Sequence, residues 1–170
     1  MAVPSLLKSL LMTDKKLKLD LHTHCLEAVG FSEPTLDVVA RIIAAIKAKG
    51  LDGIAITDHA RQQFAYKVKA VVETHFDNVV LVIPGREIDW GSMEIVELFL
   101  TEDRIFRFIA HPGYPGTFTL NAAQVRGIEL ENSGHNWHMD KDRIIQFALE
   151  HKLLLLKNSD AHYLEDIGKC

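Results

Sequence analysis

Lys18-Leu19-Asp20-Leu21-His22-Thr23-His24-Cys25 is a short apolar run that stops abruptly on two histidines one residue apart. Leu17, Leu19 and Leu21 alternate with Lys18 and Asp20, so the stretch reads as a β-strand. A strand puts residues i and i+2 on one face, which aims His22 and His24 at the same point. Two neutral imidazoles converging where a strand runs out into loop begin a transition-metal site, because imidazole suits zinc, manganese or iron. The plainer reading is a pair of solvated surface histidines, and what the rest of the chain brings to the same place decides between them. Cys25, at an odd position in the alternation, turns away from the pair and reads as a packing residue.

The 170 residues make one domain by length, long enough to bury a core without staples. The net charge of −4, with both signs interspersed, provides no basic field and argues against an extended nucleic-acid groove. Cys25 and Cys170 form no disulfide framework, so reduced thiols and a cytoplasmic location are expected. The apolar run from Leu6 to Met12 is too short and too interrupted by Lys8 to span a bilayer, and no cleavage pattern follows it. Residues 1–16 are expected to form an N-terminal arm, and 17–170 a single domain that does not enter a membrane.

After the histidine pair a loop is expected over Glu27 to Glu33, broken by Gly30, with Pro34 suited to the first turn of a helix. Val39, Ala40, Ile43, Ala44 and Ile46 recur at helical spacing until Gly50 supplies a stop. Gly53-Ile54-Ala55-Ile56-Thr57 is nearly all apolar, as in a strand covered on both faces, and it ends on Asp58-His59. The alternation repeats with a helix around Tyr66 to Phe76 and a strand from Asn78 to Ile83, opening into a loop that carries Gly85-Arg86-Glu87. Ile95 to Leu100 reads as a strand antiparallel to its neighbour, since Asp89 to Ser92 is too short for a crossover. Arg104 to Ala110 leads to His111-Pro112-Gly113, where Pro112 is expected to hold His111 extended. A short helix from Leu120 to Val125, a strand at Gly127–Leu130, a helix started near Asp140 and a last strand at Leu153–Leu156 complete the α/β pattern.

Six of these strands end in residues able to bind metal: His22/His24, Asp58/His59, Glu87, His111, Glu131/Asn132 and Asp160/His162. In strand-helix-strand proteins the carboxyl ends of parallel strands share one side, and chemistry is built there. Residues from His22 to His162 are therefore expected on one rim. His75 and His151 read as solvated helix-end residues. His135 and His138, beside Asn132, stand either within reach of substrate or plainly on the surface. Asp58 reads as an orienting or turn residue rather than a ligand. Glu129 points inward or joins an interior salt bridge.

Asp20-Leu21-His22-Thr23-His24, Thr57-Asp58-His59, Gly85-Arg86-Glu87, Ala110-His111-Pro112-Gly113 and Ser159-Asp160-Ala161-His162 together resemble the polymerase and histidinol phosphatase (PHP) domain family, in order along positions 18 to 167. The resemblance implies an α/β fold, a distorted (β/α)7 barrel, with two or three divalent cations (Zn, Mn or Fe, with Mg admitted) and hydrolysis of phosphate esters. It implies one cation on His22, His24, Glu87 and Asp160, a second bridged through Glu87 to His111, and a third on His59 and His162. Glu27 is the nearest candidate for a further ligand after the first motif. Glu94 stands where the family usually places a histidine. Glu87, Asp160 and His162 are the expected catalytic groups, around a hydroxide shared by the cations. Arg61, Arg86 and Asn132 are candidate substrate contacts, although either arginine serves equally well in a structural ion pair. The expected substrate is a small phosphomonoester or nucleotide. The alternatives are a nuclease trimming nucleic-acid ends and a metal-binding interaction domain without catalysis.

Overall fold

The computed structural model describes residues 16–101, 103–113 and 124–170. In chain order it contains β1 (Leu19–Asp20), α1 (Cys25–Ala28), α2 (Leu36–Ala48), β2 (Gly53–Ile56), α3 (Gln62–His75), β3 (Leu81–Trp90), β4 (Met93–Thr101), β5 (Arg104–Ile109), β6 (Gly127–Asn132), α4 (Lys141–His151), β7 (Leu154–Asn158) and a 3-10 turn at Leu164–Asp166. The arm expected over residues 1–16 lies, but for Lys16, outside the described residues. So does most of the helix expected from Leu120.

Alternation along β2 shows how the layers form. All of β2 is buried, yet Ile54 and Ile56 join one cluster with Ile42, Ile46 and Val68 of the helices, whereas Ala55 joins another with Val96, Leu98 and Phe108. One face of the sheet therefore meets α2 and α3, and the other turns inward. Burying each of Ile42 and Ile46 is worth about 1.5–3 kcal/mol. A third cluster, with Ile109, Ile128, Ile144 and Ala148, seals α4 onto β5 and β6. The helices start where side chains accept orphan amides: Thr35 from Val38 for α2, and Asp140 from Arg143 for α4. Thr35, not Pro34, caps α2, so Pro34 lies before the helix.

The strands follow sequence order in one seven-stranded, nearly closed, barrel-shaped sheet. Pairs β1–β2, β2–β3, β5–β6 and β6–β7 are parallel, and β3–β4 and β4–β5 are antiparallel. No helix separates β3, β4 and β5, which is the distortion of the barrel. The ends meet where His24 N–H donates to Ala161 O (2.8 Å) and Asp160 N–H donates to His22 O (2.9 Å).

Three local expectations are corrected. Gly85-Arg86-Glu87 lies within β3, because antiparallel pairing with β4 extends that strand and sets Glu87 opposite Val96. Cys25 to Ala28 is helical, so Glu27 rides on α1 instead of a loop. His111 is not extended: its φ is +24°, and its N–H donates to Glu129 Oε2 at 2.8 Å, a contact that holds the unusual backbone in place.

Candidate metal centre

The rim is stitched by backbone hydrogen bonds before any side chain is considered. Thr57 N–H donates to Thr23 O (2.8 Å), Glu87 N–H to Thr57 O (2.9 Å), and Ala60 N–H to Glu87 O (2.9 Å). The Thr23 hydroxyl donates to Ala55 O at 2.7 Å. The strand ends that carry histidines and carboxylates are thereby held side by side.

Four overlapping groups of side chains place their ligand atoms within 4.8 Å of one another: His22/His24/Glu87, His22/His111/Asp160, His24/Glu27/His59/His162 and His59/Glu87/Glu94. All nine residues proposed from sequence as metal ligands are in these groups. The partition differs from the expected one, since His24 also joins His59 and His162, and Glu94 joins Glu87 and His59. Glu94 Oε2 also lies 3.6 Å from His111 Nδ1. Cys25 is buried in the core among apolar side chains, as expected of a packing residue.

The donor set fits divalent cations. His22 Nδ1 faces Glu129 Oε1 at 3.0 Å, and a carboxylate only accepts, so Nδ1 carries the proton. In the neutral ring Nε2 then presents a lone pair to Glu87 Oε1 (3.3 Å) and Asp160 Oδ1 (3.4 Å). Lone pairs converging on one another repel unless positive charge lies among them. The buried Nδ1 of His24 has no hydrogen-bond partner among the described residues, an orphan that a cation satisfies. His162 is set in the same way, its Nδ1 donating to Asp160 O (3.0 Å) and its Nε2 3.7 Å from Glu27 Oε2.

The electrostatics agree. Burial opposes charge on His22, yet Glu87, Asp160 and Glu129 outweigh it and raise its imidazole well above the ordinary value. Burial lowers His24. Glu87 and Asp160 are pushed up by burial but pulled further down by the surrounding histidines, and both end well below the usual carboxylate range. Both carboxylates therefore stay ionised, as ligands must.

Glu129 is the residue that sequence reasoning undervalued. It is wholly buried and accepts from His22 Nδ1 (3.0 Å), Asn158 Nδ2 (2.8 Å), His111 N (2.8 Å) and Asn132 Nδ2 (2.8 Å). Its signal was an acid inside the otherwise apolar start of β6, a position that demands partners. His135 was also given too little weight: its ring stacks on His111 with centroids 4.2 Å apart, and its Nε2 is 3.5 Å from Asp160 Oδ2.

Two expected substrate contacts are corrected. Arg86 neighbours Glu87 on β3 and so faces the opposite side of the sheet. Its guanidinium pairs with Glu97 (2.7 Å), which also holds Arg107 (2.7 Å), so it serves a structural ion pair. Asn132 donates Nδ2 to Glu129 and Asp160 (3.2 Å), and its Oδ1 accepts from Gly134 N–H (3.0 Å). Its amide is consumed in these buried contacts with Glu129 and Asp160. Arg61 lies exposed just before α3, two residues beyond His59.

No family model matches the chain, and no curated protein matches it. Among solved structures it is similar to PsfC from Pseudomonas syringae, with 16% identity, 91% of this chain and 80% of that one covered, and a TM-score of 0.66. It is also similar to a candidate metal-dependent phosphoesterase from Bifidobacterium adolescentis, with 14% identity, 90% of each chain covered, and a TM-score of 0.60. At such identities the likeness is one of fold: the chain shares a distorted α/β barrel with these proteins and carries, at the ends of its strands, His/Glu/Asp groups able to hold divalent cations.

Proposed function

We propose that the chain is a metal-dependent phosphoesterase acting on a small phosphomonoester or nucleotide. The observation that carries this reading is the convergence of nine imidazole and carboxylate side chains, from several strands, their ends and α1, into overlapping groups able to hold a cation. Fold likeness to a candidate phosphoesterase adds to it.

His22, His24, Glu87, His111 and Asp160 would hold cations at the buried centre, and Glu27, His59, His162 and Glu94 at its edge. Bound divalent cations supply Lewis acidity, making water nucleophilic near neutral pH and neutralising phosphoryl charge. The protein's own groups do the rest. Glu129 keeps the His22 proton on Nδ1 and so keeps Nε2 free to ligate. Asn132 holds Asp160 in place. Glu87, common to two groups, would help hold a cation in each. His162 is partly exposed at the rim, where a ring not engaged as a ligand can protonate a departing alkoxide. Arg61, exposed two residues beyond His59, would meet phosphoryl oxygens as they approach.

Purified protein loaded with Mn²⁺ or Zn²⁺ should hydrolyse p-nitrophenyl phosphate, and chelator should abolish the turnover. A bis ester and a labelled oligonucleotide tested alongside separate monoesterase from nuclease activity. Metal-replete protein inert on every ester would end the enzymatic reading.

A further inference from the structure

A cavity of about 340 Å³ opens beside the centre, between the loops that follow β6 and β7. It is lined by Ser133 and Gly134 on one side and by Ser159, Asp160, His162 and Tyr163 on the other. Asp160 and His162 belong both to its wall and to the metal-ligand groups, so whatever fills the cavity touches the centre. Its volume is at the lower end of the roughly 300–1,000 Å³ typical of small-molecule sites.

Away from Asp160 and His162, the serine and charged groups of the wall are engaged with one another or with the protein. Ser159 Oγ donates to Asp20 Oδ2 (2.5 Å). Ser133 Oγ donates to the Lys169 carbonyl, and Lys169 Nζ pairs with Asp166, so the two charges at the cavity mouth cancel. The wall offers no uncompensated cation to a second phosphate. What remains is the ring of Tyr163, 64% exposed and stacked on by no described residue. A planar group sliding into the cavity meets that ring.

Resting on the phosphoesterase reading, we infer that the cavity between the β6 and β7 loops is the leaving-group subsite, and that it takes a planar aromatic group stacked on Tyr163. The preferred substrate is then a phosphomonoester with a compact aromatic portion, since the cavity's size and a lining without an unpaired lysine or arginine disfavour a charged polymer strand.

The test compares binding of phenylphosphonate and methylphosphonate, neither of which is a hydrolysable ester, to metal-loaded protein by calorimetry. Methylphosphonate reports the phosphoryl site alone, and phenylphosphonate adds the ring. Phenylphosphonate should bind about tenfold tighter, the scale of one aromatic stacking contact with its buried area. Tyr163→Ala should erase that difference, and Tyr163→Phe should keep it. Gly134→Ala provides a second route: its Cβ would meet Asn132 Oδ1 at 3.5 Å and Asp160 Oδ2 at 3.8 Å, ordinary contacts, so the methyl narrows the cavity without displacing its neighbours. It should weaken phenylphosphonate and leave methylphosphonate unchanged. Equal affinities in the unaltered protein, or a preference that survives Tyr163→Ala, would overturn the subsite while leaving the phosphoesterase reading standing. Failure of both phosphonates to bind would overturn the phosphoryl site itself.

Discussion

Glu129→Gln should separate the scaffold of the centre from its ligands, because Glu129 touches no metal-ligand group except through His22, His111, Asn132 and Asn158. Each of its oxygens accepts from two donors: Oε1 from His22 Nδ1 and Asn158 Nδ2, and Oε2 from His111 N and Asn132 Nδ2. A glutamine amide must turn its NH₂ toward one of these pairs. Facing His111 N–H and the Asn132 amide, it sets donor against donor. Facing His22, it drives the imidazole to the other tautomer, which puts a proton on Nε2 and removes it as a ligand. Asn158 cannot flip to help, because its Oδ1 accepts from Leu21 N–H at 3.0 Å. Two buried contacts are lost at about 1–3 kcal/mol each, so the metal-free variant should lose roughly 2–6 kcal/mol of stability. Metal affinity should fall about 10–100-fold, as for other groups that orient a ligand histidine. Urea unfolding in chelator measures the first quantity, and competition against a chromophoric chelator measures the second. Glu97→Gln is the control: Glu97 is equally a buried carboxylate, but it pairs Arg86 and Arg107 away from the ligand groups, so it should lose stability and keep its metal affinity. If Glu129→Gln binds metal within twofold of the parent, Glu129 does not position His22 for a cation.

Glu87→Gln should reduce kcat/KM by about a hundredfold or more and Glu27→Gln by about tenfold, because Glu87 belongs to two ligand groups and Glu27 to one; equal, small losses in steady-state assays would refute the bridging role. Asp58 is raised to about 7, mainly by burial, against an unfolded value near 4. The folded carboxyl keeps its proton where the unfolded one has lost it, so its contribution to stability is greatest below about pH 4 and is lost as pH rises to about 7. Asp58→Asn should remove that slope, by a few kcal/mol at most, in metal-free unfolding across the window; an unchanged profile refutes it. Arg86→Ala should cost about 1–3 kcal/mol of stability, since it halves the partners of buried Glu97, yet leave KM for a phosphomonoester unaltered; a raised KM would restore Arg86 as a phosphate contact.

Much of this centre is legible in the chain itself because strand ends are local events. His22/His24, Asp58/His59 and Asp160/His162 each follow an apolar run, and parallel connection forces such ends onto one side. The histidine and aspartate candidates could therefore be named from the strand pattern, whereas Glu27 and Glu94 came only from the family resemblance. What the pattern could not carry is which neighbour each one meets. Arg86 and Glu87 are adjacent in sequence and point to opposite sides of the sheet, and only the antiparallel register of β3 with β4 shows that Glu87 takes the inner one. The Arg86 partner, Glu97, sits across that same register.

Sequence by itself determined the order of the main strands and helices, the start of α4 near Asp140 and most of the residues able to hold cations, since these depend on residue type and on spacing over a few positions. Tertiary structure alone decided the division of that set into overlapping groups, the retreat of Asn132 from substrate to support, and the place of Glu129 beneath His22. Those outcomes depend on contacts between different strands and loops, some more than a hundred positions apart in the chain, such as the 3.0 Å from His22 to Glu129. A buried carboxylate is tolerated only where donors from several strands arrive together, and no local pattern records that meeting.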